Sequence, residues 1–494
     1  MKLSIGMMVK NESKHLRECL ESLEPIRREL DSELVIVDTG SDDGTVEIAK
    51  EFTDKVYFHE WNDHFSEMRN IVISYTKGDW YFCIDGDEVV ENPRGLIDFF
   101  KSGKCEHFNS AMVTQKNYIN EDKSNISKLL VPRLFKNDEN FQFEGAIHNQ
   151  PVTKDPIVKL NTVLKHYGYI RDDKELMDEK FERTSSILKR ELEKNPENVY
   201  YRFQLANSYG MHGDYKKAIN SIEKAYNIAK KNGKDLSCYL YVHNVMAKMY
   251  LTRNMFMQAE EICKEAVELA EGYYSDLYYY LAKAQFELNK NTKAINNFRI
   301  YLDIIKEDGS LQQSSDSSFI FYTEDNLTEA YLYLIVLYER IEDFEQIINM
   351  SHKIKNKDKM KQIISKVIEA CVRTEKFNVI KSYYQNKILN GVKGLSSKYL
   401  AELESQMMTM DEEKKYKIFD VFATEMDNYS ILNKVRLRKL DDDELVKLIA
   451  EIDFNTVANY YGDIIYYLLK NKYSLLEFCD IIKEPKLNDF LQYI

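Results

Sequence analysis

The chain has 494 residues, too many for one hydrophobic core, which sets two to four domains as the expectation. Lys plus Arg number 68 against 81 Asp plus Glu, a formal net charge of −13, and that balance argues against a general nucleic-acid or anionic-membrane binder. The cysteines (Cys19, Cys83, Cys105, Cys238, Cys263, Cys371 and Cys479) are scattered without a C-x-x-C pair and read as reduced thiols. The start, "MKLSIGMMVK", has no signal-peptide core with a cleavage site, and the longest apolar run, "AYLYLIVLY", is too short to span a bilayer. The expectation is a cytoplasmic protein without a membrane span.

Up to about residue 170, short apolar runs alternate with amphipathic stretches. "LSIGMMV" (Leu3 to Val9), "ELVIVD" (Glu33 to Asp38), "KVYFHE" (Lys55 to Glu60) and "WYFCID" (Trp80 to Asp85) read as strands, most of them bounded by Asn, Asp or Gly. Between the first two, Leu16, Cys19, Leu20 and Leu23 recur at helical spacing; between the next two, "SDDGTVEIAKEF" opens with capping residues ahead of an apolar face. Strand alternating with helix predicts right-handed crossovers and a mainly parallel, Rossmann-like α/β sheet.

From about Leu176 the pattern is helical almost throughout. Three segments superpose: Leu205 to Ala225, Met246 to Ala266 and Leu281 to Tyr301. Small residues stand at Ala206, Ala247 and Ala282 and again at Ala218, Ala259 and Ala294, so both series step by 41 and then 35 residues. Equal steps in two series identify a repeat. The first unit, with Leu205-Ala206, Tyr209, Gly213-Asp214-Tyr215, Ala218 and Ala225, resembles a tetratricopeptide repeat, whose small residues let antiparallel helices approach closely. The second has Arg253-Asn254-Met255 where a Gly-Asp-Tyr turn is expected; Leu332 to Ile348 and Val367 to Tyr384 read as further degenerate pairs, and past about 390 only helices are legible. The plain alternative for this half is a helical bundle with a purely structural role. The expected domains are 1–170 for the α/β part, 171–195 for a linker helix, 196–350 for the repeats and 351–494 for a C-terminal helical region.

Ligand sites of parallel sheets gather at the carboxyl ends of strands. Lys10, Asn11 and Glu12 follow the first strand, Asp38 ends the second, and Asp85 and Asp87 end the fourth. Two carboxylates two residues apart repel unless a cation completes them, so the pair reads as a divalent-metal site contacting diphosphate oxygens, with a capped D-G-D turn as the structural alternative. "CIDGDEVV" also fits the D-x-D pattern of haloacid-dehalogenase phosphatases, but two strand-helix units precede it here and Asp172-Asp173 follow no strand.

Taken in order, "SIGMMVKNES", "VIVDTGSDDGT" and "FSEMRNIVISYTKGDWYFCIDGDE" resemble the motifs of family 2 glycosyltransferases of the GT-A fold. "VPRLFKNDENFQFEGAIHNQP" and "LKHYGYI" are similar to later segments of the branch that carries tetratricopeptide repeats, although that branch usually has Glu where this chain has Asn149. The resemblance implies that Asp38 accepts from the uracil imide, that Asn11 and Glu12 line the base and ribose pocket, and that Arg69 and Arg133 belong to the nucleotide-binding set. It further implies that Asp85 contacts ribose or metal-bound water and that Asp87 ligates Mn²⁺ or Mg²⁺, while His148 and especially His166 can serve as the non-carboxylate metal ligand. Met8-Val9-Lys10 replaces the family's commoner Pro-Thr-Tyr, which leaves uracil stacking unassigned. Glu144 and His148 both suit a general base, with a lean to Glu144 because carboxylates usually serve in inverting enzymes of this fold.

The implied activity is a metal-dependent, inverting transfer from a UDP-sugar, with GlcNAc or glucose as the sugar. Relatives of the repeat-bearing branch act on flagellin Ser or Thr, or on bacteriocin Cys, so the expected partner is a protein or peptide acceptor. The alternative is a lipid-linked or cell-envelope saccharide acceptor, with the repeats serving dimerisation or acting as a scaffold.

Overall fold

The computed structural model describes the chain apart from residues 1, 119–125, 153, 169–173, 234, 271–273, 307–320, 324, 390–393, 440–441, 472–483 and 494. Tyr169-Ile170, Asp172-Asp173 and Cys479, all raised by the sequence, lie outside the described residues. Two compact units form: residues 1–284 with 303–322, and residues 285–302 with 323–494. No described helix is long and apolar enough to cross a membrane.

The first unit is built on β1 (Leu3–Val9), β2 (Ser32–Asp38), β3 (Val56–Phe58) and β4 (Trp80–Cys83), all mutually parallel. Helices α1 (Leu16–Glu29), α2 (Thr45–Phe52) and α3 (Phe65–Ser74) connect them. Beyond β4 the sheet departs from the expected parallel pattern. β5 (Glu88–Val90), β6 (Ser110–Tyr118), β7 (Ile126–Lys136) and β10 (Ile157–His166) extend it in the order β3-β2-β1-β4-β7-β6-β10-β5, with β4–β7, β6–β7 and β10–β5 antiparallel. The sheet is therefore mixed, and α4 (Arg94–Lys101) covers part of its added half. A separate two-stranded ribbon pairs β8 (Phe143–Glu144) with β9 (Gln150–Pro151).

The central strands read as unbroken apolar runs because both of their faces are buried. Leu3, Ile5, Met7, Leu34 and Ile36 pack with Leu16, Cys19, Leu20 and Leu23 of α1 and with Phe99 and Phe100 of α4. The intervening Val35 and Val37 join Val72, Tyr81, Phe135 and Phe143 on the opposite face.

Helices then follow in pairs: α5 (Lys174–Lys194), α6 (Val199–Met211) with α7 (Tyr215–Lys231), α8 (Leu240–Thr252) with α9 (Phe256–Leu269), and α10 (Ser275–Glu287) with α11 (Asn291–Lys306). α12 (Leu327–Arg340) with α13 (Phe344–Ser351) and α14 (Lys357–Arg373) with α15 (Phe377–Tyr383) continue the series. All six alanines of the two sequence series have no solvent exposure. Each pair turns through one left-handed residue: Gly213, Asn254, Asn289, Glu342 and Glu375, at φ 87°, 57°, 57°, 57° and 55°. The amide that follows each one bonds to the carbonyl five residues earlier, at 2.9, 2.9, 2.8, 2.9 and 2.8 Å. This closing turn satisfies orphan helix carbonyls and recurs whether or not glycine occupies it. It also shifts the second sequence turn by one residue, since Asn254, and not Arg253, stands where Gly213 does. Later in the second unit, Arg436 bonds both carboxylate oxygens of Glu404 at 2.8 and 2.9 Å and Asp463 at 2.8 Å.

Candidate active site

The register of the parallel strands sets Val9 level with Asp38, while Ile84 N–H bonds Gly6 O, so the segments after β1, β2 and β4 leave the sheet side by side. The first two loops are stitched together. Asn11, left-handed at φ 54°, accepts the Asp42 amide at 2.9 Å, and its own amide donates to Ser41 Oγ at 3.0 Å. Asp43 accepts the Ser13 amide at 3.1 Å and the Thr45 amide at 2.9 Å. Asp38 is buried, and its Oδ2 accepts the Gly40 and Ser41 amides at 3.0 and 3.1 Å. Asn11 and Asp38 thus have local structural work, which the sequence did not reveal.

The acidic pair lies in a turn after β4, and its two carboxylates face different partners. Asp85 is held by Arg69 of α3 at 2.8 Å and by Arg133 of β7 at 3.0 Å. Arg133 also pairs with the fully buried Glu88, which receives Gln115 Nε2 at 2.6 Å. Burial opposes ionisation of Asp85, but the two guanidiniums outweigh it and hold its pKa well below the usual carboxylate range.

Asp87 faces His166 instead, with Oδ2 and Nε2 3.5 Å apart. β10 carries His166 between Glu88 on β5 and Asn117 on β6. Asn117 Oδ1 lies 2.7 Å from His166 Nδ1 and, as an acceptor, fixes the proton there, turning Nε2 toward Asp87. Burial works against protonation of this imidazole, but Asp87 raises its pKa. Gly168 closes the cradle: a Cβ there would sit 2.4 Å from Asp87 Oδ2 and 2.8 Å from His166 Nε2.

Glu12 approaches the same turn because Gly86 has no side chain; a Cβ at Gly86 would stand 3.2 Å from Glu12 Cγ. Burial, and then the charges of Asp87, Asp85 and Asp43 against the opposing Lys180, push the Glu12 pKa up to about 8. A carboxylate and an oriented imidazole 3.5 Å apart are donors of the kind that fit a divalent cation bound by Asp87 and His166. No cluster of three or more potential metal ligands exists among the described residues.

Glu144 and His148 stand apart from this turn, on the ribbon segment. Glu144 is exposed on β8 and accepts from Gln142 Nε2 at 3.0 Å. His148 is left-handed at φ 49° and exposed. The segment is docked on α3, with Asn70 exchanging bonds with Phe143 at 2.9 and 3.0 Å and Ser66 Oγ donating to Gly145 O at 2.7 Å. From its other side come Tyr201, whose hydroxyl receives the Ala146 amide at 3.1 Å, and Tyr200, whose hydroxyl lies 3.3 Å from His148 O. α5 grips the start of α3 in the same way, through Arg190 and Asp63 at 3.1 Å. Asn117, Gly168, Lys180, Tyr200 and Tyr201 were not among the sequence candidates; only Gly168 lay inside a quoted motif.

A parallel half-sheet with arginine-paired and histidine-paired carboxylates at its carboxyl edge is an α/β domain with polar groups gathered where such sheets bind ligands. Residues 4–149 match the model described as Glycosyl transferase family 2; the chain carries a family 2 glycosyltransferase domain, followed by tetratricopeptide-like helix pairs, and is a glycosyltransferase. The SPbeta prophage-derived glycosyltransferase SunS of Bacillus subtilis (strain 168) is 24% identical over 372 residues, covering 73% of this chain and 82% of that protein. The TPR repeat-containing protein Synpcc7942_0270 of Synechococcus elongatus is 29% identical over 231 residues, 44% of this chain and 54% of that one. Among solved structures, YrrB, a TPR protein with an unusual peptide-binding site, aligns with 45% of this chain and 99% of its own at 12% identity and a TM-score of 0.34.

Proposed function

We propose that the chain transfers a sugar, GlcNAc or glucose, from a UDP-sugar to a polypeptide side chain, Ser, Thr or Cys, by a single inverting displacement. The observation that carries this reading is the Asp87–His166 pair beside the Arg-bound Asp85 at the sheet's carboxyl edge. Asp38, Asn11 and Glu12 line the nucleoside side, and Arg69 and Arg133 hold Asp85 in place. When bound by Asp87 and His166, Mn²⁺ or Mg²⁺ supplies positive charge at the leaving diphosphate. The acceptor oxygen or sulfur bonds to the anomeric carbon as the bond to UDP breaks, and its proton passes to Glu144 or His148.

Flagellin-like proteins are acceptors of the expected kind. The attachment of the Glu144–His148 segment to Tyr200 and Tyr201 favours this over a lipid-linked acceptor, because the helix pairs then adjoin the segment that meets the acceptor.

The test is incubation with labelled UDP-sugars and extract from cells lacking the gene. Label in protease-sensitive material, lost in Asp87→Asn and in excess EDTA, is expected; label confined to solvent-extractable lipid overturns the acceptor class, and EDTA-resistant turnover overturns the metal. Stronger thermal protection by GDP than by UDP overturns the nucleotide.

A further inference from the structure

The helix pairs differ in how much of their first helix is covered. α6 buries 6 of its 13 residues and α12 buries 5 of 14, leaving a face open as expected for a stacked pair. α8 buries 11 of its 13. The repeat spacing is also uneven. Successive left-handed turns are 41, 35, 53 and 33 residues apart, so extra chain lies between the turns at Asn289 and Glu342.

The end of that extra chain sits on α8 and α10. Phe321 and Tyr322 are outside helix and strand. The Tyr322 backbone N–H donates to Asp276 Oδ2 at 2.8 Å, and Asn244 Nδ2 reaches the same oxygen at 3.2 Å. The Lys248 ammonium lies 3.3 Å from the centre of the Tyr322 ring, and Phe321 stacks on Tyr274 at 6.3 Å and 15°. Asn244 and Lys248 are one helical turn apart and share a face of α8. Asp276 has no solvent exposure and Asn244 has 1%, so the carboxylate depends on these donors to offset its desolvation.

An aspartate that takes a backbone amide, together with an ammonium that takes an aromatic ring, reads a peptide by its main chain and one side chain. Neither contact requires that the peptide be part of the same chain. We propose that Asn244, Lys248 and Asp276 form a binding site for an extended, aromatic-bearing polypeptide, and that Phe321-Tyr322 occupies it in cis, in competition with the acceptor. This rests on the reading of the acceptor as a polypeptide, and it assigns the acceptor's recognition to a surface separate from the transfer site.

The test uses the full chain and a fluorescein-labelled peptide, SFIFYTE, copied from residues 318–324. The double variant Phe321→Ser/Tyr322→Ser is expected to bind it about tenfold more tightly than the wild type, a difference of about 1.4 kcal/mol. Lys248→Met or Asp276→Ala added to the double variant is expected to remove that gain. Equal binding by wild type and double variant, equal binding of a scrambled peptide, or indifference to Lys248→Met and Asp276→Ala overturns the site. Should the double variant not fold, hydrogen exchange of the wild-type Tyr322 amide decides: saturating peptide must accelerate it, and unchanged exchange overturns the proposal. Peptide binding is read without any transfer, so its failure is distinguishable from a failure to find labelled protein.

Discussion

The backbone amide of Ala146 donates to the hydroxyl of Tyr201 at 3.1 Å, joining the segment that holds Glu144 and His148 to the first repeat helix. Tyr201→Phe removes that acceptor and leaves the ring in place. A neutral hydrogen bond contributes about 0.5–1.5 kcal/mol, so transfer should slow by about twofold to tenfold. Affinity for UDP, measured by calorimetry, should not change; an equal loss of UDP affinity would show that Tyr201 supports the whole domain.

Gly168→Ala tests the proposed cation site without replacing Asp87 or His166. Its methyl would lie 2.4 Å from Asp87 Oδ2, so the Asp87–His166 spacing must widen. Mn²⁺ binding, followed by electron paramagnetic resonance, should weaken by about tenfold or more, in line with losses on disturbing the surroundings of a metal ligand. The circular dichroism spectrum should be retained.

Arg133 neutralises Asp85 and the fully buried Glu88 together. Arg133→Met leaves Asp85 with Arg69 alone and Glu88 without its cation, and removing one partner of a buried pair costs about 3–5 kcal/mol. A drop in the thermal unfolding midpoint is expected, with part of it recovered by adding Glu88→Gln. If Arg133→Met unfolds at the wild-type temperature, the pair contributes no stability.

Asp43 gives a pH signature. Burial opposes its charge, but bonds from Ser13 and Thr45 lower its pKa to about 2, below the about 3.9 of an unfolded chain. A depressed carboxylate contributes stability above the unfolded value and loses it as pH falls toward the folded one. The midpoint of Asp43→Ala should therefore lie below that of the wild type at pH 7, and the gap should narrow from about pH 4 downward. A gap constant from pH 7 to pH 3 would show that the charge is not the cause.

The turns at Glu342 and Glu375 place side-chain-bearing residues at φ 57° and 55°, where a Cβ costs about 1 kcal/mol. Glu342→Gly and Glu375→Gly should each raise the thermal midpoint, and Gly213→Ala should lower it. Opposite signs, read by scanning calorimetry, would show that these turns are not strained.

The legible parts of the fold were those fixed by local pattern. Leu3–Val9 kept its bounds, the α1 spacing gave the buried Leu16, Cys19, Leu20 and Leu23, and the six repeat alanines are all buried. The added, mixed half of the sheet was not legible, because the antiparallel pairing of β6 with β7 and the parallel pairing of β6 with β10 join segments whose order says nothing about direction, and the separate ribbon's β8 and β9 have two residues each. The turn at Asn254 was misread by one residue, although the 41-residue step of both alanine series already sets Asn254 opposite Gly213. At the site, the acidic letters were visible but their division was not. That Asp85 belongs to two arginines and Asp87 to a histidine depends on strands that begin 41 and 70 residues after Asp85 and Asp87 respectively, at Ile126 and Ile157.

That separation has a meaning for the order of synthesis. The ribosome releases Asp85 and Asp87 long before the residues that complete them, Arg133 and then His166. Until β7 and β10 have emerged, the turn at the edge of the four-strand parallel sheet has Arg69, already made, beside Asp85 but lacks both Arg133 and His166. Domains fold from the amino end as the chain is made, so this one can bury its first core early yet holds no finished Asp87–His166 pair until the strand that ends at His166 is in place.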